Sequence, residues 1–516
     1  MLNTPILIVG GSLVGLSASL FLAWLGVPHI MVEKHSGSSI HPRAMGYTET
    51  TLEHYRMVGI ANRIPQTPLE FRLRRVTAES LAGEWQGALA WTPGEDNEHN
   101  KDLSPNTGAA IAQDKLEPIL RKAALELGAE LRYSTELLYF EDRGDYIIAH
   151  LQDRNNGQKY DILADYLIAA DGADSPIREH LGITQEGVGY IRTVRSVLFN
   201  CPEADEYLVH GVQQFEIEQE NFHAFLTTYN DSRWLLMFVD DIERSEDELR
   251  IAIHKALGRD MAFDIITTGR WEMAGRIATN YRQGRVFLAG DAAHQLPPTR
   301  GGFGANTGID DVWNLSWKLQ RVFKGTSHAS LLDTYEAERR PIGWLRHQQT
   351  FSRPDYAKWV RSNFKPDSLF SNEAMEFGQL VRSFAVIGSG PELPAAASPV
   401  DWAGQPGTRA PHVWLTTTTG ETISSLDLFG EEFVLLAETL TWQNVADTLN
   451  LRRVHIGQDV HFPESETFAV TFGVSRHGAV LVRPDGVIAW RSNNAGQPGG
   501  AQELTEIYAQ ITASTS

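Results

Sequence analysis

The run Ile6-Leu7-Ile8-Val9, followed without a break by Gly10-Gly11-Ser12-Leu13-Val14-Gly15, constrains this chain more than any other feature. Periodicity assigns residues 5–9 to a buried strand, 14–25 to a helix and 29–33 to a second strand, a βαβ unit that requires a parallel sheet. Glycines let the backbone turn tightly and come close to a pyrophosphate, and the helix N-terminus behind them offers free N–H donors. Glu33 ends the second strand, where an acid accepts from a ribose hydroxyl. Gly10, Ser12, Leu13, Gly15, Glu33 and the adjoining Lys34 are therefore candidate dinucleotide contacts. Ser12 stands where the middle glycine of this pattern usually falls.

A chain of 516 residues exceeds one ordinary core and predicts two or three domains. Its 42% apolar and 21% charged residues are average for a chain that folds throughout. A formal net charge of −20 argues against nucleic acid and anionic membrane as partners, since both are bound by clustered Lys and Arg. Cys201 is the only cysteine, which excludes an intrachain disulfide, a multi-cysteine zinc site and a dithiol relay. No metal site is expected, and a reducing cytoplasm fits. The N-terminus lacks the basic region of a signal peptide. The apolar stretch from Leu13 to Val27 falls short of the roughly 20 residues that span a bilayer.

Helical patterns return over Thr48 to Val58 and over Gln113 to Leu127, and the polar stretch 92–108 reads as loop. Short apolar segments at 222–226 and 234–238 read as strands of a separate substrate domain. Long helical patterns cover 304–323 and 330–349, the second with Pro341 as its expected break. Pro391 to Pro399 reads as a linker, and Ser424 to Leu436 and Gly478 to Trp490 suggest a small C-terminal α/β module.

Two further motifs carry chemistry. Asp171-Gly172 follows the strand-like run Tyr166 to Ala169, and Gly290-Asp291-Ala292-Ala293-His294 precedes Pro297-Pro298 and Gly302-Phe303-Gly304-Ala305-Asn306. A strand ending in Gly-Asp can set a carboxylate on a sugar or ribityl hydroxyl. Glycines opening a helix set N–H donors beside a ring carbonyl.

Together these motifs resemble the class A flavoprotein monooxygenases, the para-hydroxybenzoate hydroxylase-like group, over nearly the whole chain. Tyr335-Glu336-Ala337-Glu338-Arg339-Arg340-Pro341, Arg409-Ala410-Pro411-His412 and Val482-Arg483-Pro484-Asp485-Gly486 resemble its phenol hydroxylase and aromatic polyketide hydroxylase branch. The resemblance implies an α/β chain: a Rossmann-like FAD-binding domain (1–186 and 276–390), a β-sheet substrate domain (187–275, joined by part of 70–108) and a C-terminal thioredoxin-like domain (400–516) without a CxxC. It implies that Glu33 binds the adenosine ribose, that Asp291 binds the ribityl chain, and that Gly302, Gly304, Ala305 and Asn306 lie by the isoalloxazine. Arg43 and Gln113 match FAD contacts, Asp171 serves FAD and NAD(P)H, and the Pro298 backbone faces the substrate's reacting edge. Arg300 makes the segment between Pro298 and Asn306 one residue longer than the family's usual pattern.

The activity so implied is hydroxylation of a phenolic or polyketide-like aromatic through a flavin C4a-hydroperoxide, consuming NADPH or NADH and O2. Baeyer–Villiger or epoxidising chemistry on the same fold, a flavin dehydrogenase, and a non-catalytic flavin-fold binding protein are the alternatives. A homodimer is common in this branch. The catalytic base is not identified. His294 reads as a structural hydrogen-bonding residue, and Trp313 and Trp317 as core. Tyr229, Trp234, Met237 and Trp271 are the substrate candidates. Strand alternation puts half of such side chains on the pocket face, and the sequence does not say which half. Glu216, Glu218 and Glu220 would share one solvated face of a strand.

Overall fold

The apolar N-terminal run forms the centre of a parallel sheet. In the computed structural model, which describes residues 2–68, 71, 73–90, 103–298, 303–357, 359–360, 363–493 and 500–514, β1 (Leu2–Val9), α1 (Leu13–Trp24) and β2 (His29–Val32) make the expected βαβ unit. α2 (Glu49–Met57) and α3 (Gln113–Glu126) follow, and β3 (Lys159–Ala169) returns beside β1. Ile8 lies opposite both Met31 of β2 and Ile168 of β3, all parallel, and β3 pairs in parallel with the short strand Val286–Leu288. Helices cover the sheet, so Leu7, Ile8, Leu167 and Ile168 are fully buried, as a parallel sheet demands of its near-continuous apolar strands. Of the stretch 92–108, residues 92–102 lie outside the described residues.

A second sheet is assembled from two stretches of chain. β4 (Gln185–Asn200), β5 (Gln214–Gln219), β6 (Phe222–Thr228), β7 (Arg233–Phe238) and β8 (Asp264–Ala278) are joined by the earlier strands Arg74–Ala78 and Trp85–Ala90 and by His294–Gln295. Between β7 and β8 runs α4 (Glu246–Leu257), started by a Ser245–Glu248 capping box. It packs Leu249, Ile253 and Leu257 against Val197, Phe215, Trp234 and Leu236 on one face of the sheet. The opposite face turns toward the first sheet, where Leu198, Leu235 and Tyr229 meet Ala112 at the start of α3.

α5 (Phe303–Phe323) and α6 (Asp333–Phe351) complete the first domain. Contrary to the expected break, α6 continues through Pro341. The missing N–H and ring clash ordinarily cost about 3 kcal/mol inside a helix. Here Pro341 itself is exposed, while Tyr335, Ile342, Leu345 and Arg346 bury both halves of the helix and hold it in one piece. Trp313 and Trp317 sit in the core. Among the described residues no helix is long and apolar enough to cross a membrane.

The C-terminal module has strands β9 (Val434–Ala437), β10 (Arg452–His455), β11 (Ala479–Val482) and β12 (Ile488–Ser492), ordered β10-β9-β11-β12. The first pair is parallel and the others antiparallel, with helices after β9, β10 and β12. That order and connectivity are the thioredoxin arrangement. The module docks through buried charge. Arg483 donates to both carboxylate oxygens of Glu338 at 2.7 and 2.9 Å, and Lys318 donates to one of them at 3.0 Å. All three side chains are 0% exposed. Burial pulls the Lys318 ammonium down to about 8. Burial alone would raise the Glu338 carboxyl, yet the Arg483 and Lys318 charges hold it well below the usual carboxylate range.

Candidate active site

The turn between β1 and α1 is built for close approach. Gly10 has φ +112°, and a Cβ on it would lie 2.1 Å from the Ala170 carbonyl oxygen. A Cβ on Gly15 would lie 1.8 Å from the Gly10 oxygen. Ser12 has φ −92°, backbone that any residue adopts, which explains why a serine serves at this position. Its hydroxyl turns away from its own helix and donates to Glu117 Oε1 at 2.6 Å. The first-turn N–H groups of α1 thus have no side-chain cap, and they remain open to an anion. Leu13 places its side chain in the core, leaving only its backbone for such a ligand. Glu33 accepts from the Gly11 N–H at 2.7 Å and the His35 N–H at 2.8 Å, which fixes its carboxylate at the end of β2. Lys34 is exposed.

Two more carboxylates line the continuation of this groove. Asp171 Oδ2 accepts from the Ile177 N–H at 3.2 Å, while Oδ1 is buried with no hydrogen-bond partner among the described residues. An orphaned buried acceptor is costly unless a ligand meets it, and burial raises the Asp171 pKa accordingly. Asp291 is likewise raised by burial, opposed by His294 and Arg43. His294 is fully buried, its Nε2 2.7 Å from Asp311 Oδ2. Asp311 also accepts from Gly290 N–H at 3.2 Å and Arg339 Nε at 2.8 Å, so His294 belongs to a structural network.

At the start of α5, a Cβ on Gly304 would meet nothing within 4 Å, which leaves room for a planar ring. Ala305 packs against the core. Asn306 ties α5 to the start of α2 and the chain before it, accepting from Thr48 N–H at 3.2 Å and Thr51 Oγ1 at 2.7 Å and donating to the Gly46 carbonyl at 3.3 Å. Gly302 and Arg300 lie outside the described residues. Pro298 is exposed, and its carbonyl accepts from the Tyr356 hydroxyl.

The loop carrying Arg43 is held from three sides. Gln113 Oε1 accepts from the Arg43 and Ala44 N–H groups at 3.2 and 3.3 Å, while its Nε2 donates to Ser12 Oγ at 2.8 Å. His41 Nε2 and Ser196 Oγ of β4 share a 2.9 Å hydrogen bond. The Tyr229 hydroxyl donates to the Pro42 carbonyl at 2.7 Å. Gln113 thereby joins the β1–α1 turn to the Arg43 loop.

Of the four substrate candidates, three lie on the near side of the sheet and one on the far side. Ser196 is opposite Met237 and Gly269, and Val194 is opposite Trp271, so Met237 and half-buried Trp271 share the face that turns toward the first sheet. Trp234 is on the other face, fully buried under α4 with its Nε1 on Asp205 at 3.0 Å, because it differs from Met237 by an odd number of strand positions. Tyr229 is on the near side, but it is an interdomain tie to Pro42 and its hydroxyl is already used. Glu216 and Glu218 share one face of β5, the face of Phe225; the Glu216 side chain is 45% exposed and accepts from Arg75 Nη1 at 3.1 Å, and Glu218 and Glu220 are exposed. Ser196, Arg75, Arg192 and Tyr356 carry no motif in the sequence, since only the fold brings them together.

The uncapped helix start, the crowded glycines, the buried Asp171 oxygen and the open space over Gly304 fit FAD. Fold and site define an FAD-dependent monooxygenase. Residues 3–350 match the FAD binding domain family and residues 403–514 the aromatic-ring hydroxylase C-terminal family, and the chain belongs to the FAD-dependent aromatic-ring hydroxylases of class A. It is 37% identical to tetracenomycin A2 monooxygenase-dioxygenase of Streptomyces glaucescens, covering 100% of this chain and 98% of that protein. It is also 37% identical to 4-methyl-5-nitrocatechol 5-monooxygenase of a Burkholderia species, over 96% and 95%. A crystal structure of aklavinone-11 hydroxylase with FAD and aklavinone superposes with a TM-score of 0.87 at 32% identity, over 99% of both chains.

Proposed function

We propose that this enzyme inserts one oxygen atom of O2 into a C–H bond of a phenolic or polyketide-like aromatic, with NAD(P)H and a proton reducing the second atom to water. The observation that supports this reading is how the Met237 and Trp271 face of the second sheet is tied to the first domain: His41 is bonded to Ser196, the Tyr229 hydroxyl to the Pro42 carbonyl and the Tyr356 hydroxyl to the Pro298 carbonyl, and we read the space between that face and the N-terminus of α5 as the substrate cleft. When bound, FAD supplies hydride acceptance from NAD(P)H and the activation of oxygen. Gly10, Gly15, Glu33 and Asp171 would hold its nucleotide half, and Asp291 and residues 303–306 its ring half. The positive end of α5 stabilises negative charge at its N-terminus. Apolar side chains on the sheet face exclude water from the reacting edge, and the Tyr356 hydroxyl fixes the Pro298 carbonyl that borders it.

The test is NAD(P)H oxidation by the purified yellow protein across phenols and polycyclic quinones, with peroxide release followed in parallel. Substrate-stimulated oxidation, little peroxide and a hydroxylated product support the reading. A lactone or epoxide product, or reduction of artificial acceptors without oxygen incorporation, replaces it with one of the other flavin chemistries.

A further inference from the structure

On the same sheet face as Trp271, one pair further along, lies a guanidinium that no acid neutralises among the described residues. Arg192 is opposite Met273, two residues before Val194 on the same strand, so it emerges on the cleft face. It is half-buried, its buried Nε has no hydrogen-bond partner, and none of the ion pairs found among the described residues includes it. The Trp359 ring lies over it, 5.2 Å from the guanidinium carbon to the ring centroid. Burial lowers the Arg192 pKa, and only the Tyr356 hydroxyl works against that. The neighbouring Arg75 is different: it is satisfied by Gln214 at 3.1 Å and Glu216 at 3.1 Å and covers the Phe225 ring at 4.8 Å. Both guanidiniums act on Tyr356, which is bound to the Pro298 carbonyl. A partly desolvated cation is costly unless an anion pairs with it. In a chain of net charge −20 carboxylates are abundant, and Glu216 and Asp355 act on the neighbouring Arg75, yet among the described residues none pairs with Arg192.

We propose that Arg192, stacked on Trp359, is a substrate-anchoring site for an anionic oxygen, a carboxylate or an ionised phenol carried by the aromatic substrate. The planar fork of arginine suits such an oxygen. The anchor sets which ring edge reaches Pro298. It rests on the hydroxylase reading above, because it assumes that the aromatic lies in this cleft.

The test measures binding to the FAD-loaded enzyme by perturbation of the flavin spectrum, with three probes: 1-hydroxy-2-naphthoate, ionised 2,4-dinitro-1-naphthol and the neutral 1-hydroxy-2-naphthamide. At least one anion binds wild type about ten-fold or more tighter than the amide, the size of a charge-assisted hydrogen bond; which anion does so distinguishes a carboxylate from a phenolate. In Arg192→Gln that preference falls to within about three-fold while amide binding is kept, and Arg192→Lys restores part of it. Flavin content and melting temperature confirm that the variants fold. Equal affinity of wild type for anions and amide, a preference that survives in Arg192→Gln, or equal loss of all three probes overturns the proposal. NAD(P)H oxidation on the same panel separates the two readings. Stimulated oxidation without an anion preference removes only the anchor, and an anion preference without stimulated oxidation by any compound removes only the hydroxylase.

Discussion

Gly15 has no room for any other side chain, because the methyl of an alanine would fall on the Gly10 carbonyl. Gly15→Ala must therefore push α1 away from β1, and overpacking of this kind costs about 1–3 kcal/mol. The expected outcome is a lower melting temperature together with purification largely free of yellow colour; a variant that keeps both would show that the turn can relax. Tyr229→Phe removes a single hydrogen bond to Pro42, worth about 1 kcal/mol. If that tie orients the Arg43 loop, titration of the apoprotein with FAD should show affinity about five-fold weaker, the same energy as a ratio. Unchanged affinity would leave the loop to His41 and Gln113 alone. Residues whose role follows from local backbone, such as Gly10, Gly15 and Glu33, are readable because turn, helix start and strand end are neighbours in sequence. Tyr229 was selected as a substrate contact from its strand position, and only the fold reveals that its hydroxyl belongs to Pro42.

At the scale of elements, β1, α1 and β2 are legible because each completes a period within its own length. The strands of the second sheet are legible as strands but not as faces. Trp234 and Met237 look alike in sequence, yet one supports α4 and the other borders the cleft. β8 adds a further obstacle: its pairing with β4 shifts between Leu198 and Phe199, so Ile265 packs toward α4 whereas Thr267, opposite Leu198, falls on the cleft side. A bulge reverses the alternation from there on, and no composition signal marks it. Pro341 teaches the converse, since a local rule for ending helices yields to the burial of side chains on both sides.

The buried cluster of Glu338, Lys318 and Arg483 joins α5 and α6 to the C-terminal module, so its strength belongs to the whole molecule. Glu338→Gln leaves two cations buried with one acceptor fewer, and breaking such a pair typically costs about 3–5 kcal/mol; chemical denaturation should show that loss. Lys318→Met differs, because Arg483 still pairs with Glu338. Lys318 titrates near 8 in the fold against 10.5 in an unfolded chain. The unfolded state therefore binds more protons between those values, and the desolvation cost, full below about 8, fades as pH rises toward 10.5. Wild type should gain up to about 3 kcal/mol relative to Lys318→Met across that window, read as a difference of denaturation midpoints at pH 7.5 and pH 10. A parallel course of the two proteins would mean that Lys318 keeps its ordinary titration. The chain marks Glu338 and Arg483 only as members of two separate motifs and Lys318 not at all; that the three meet is visible only in the fold.

The second sheet pairs Gln214 with Arg75 and Glu216 with Thr77 in parallel, across more than a hundred residues of intervening chain. Anyone recombining hydroxylases to trade substrate preference inherits this constraint. A crossover that moves 185–278 but leaves 74–90 behind splices two unrelated strand edges along the cleft floor. Productive chimeras should cluster among exchanges that carry both stretches from one parent.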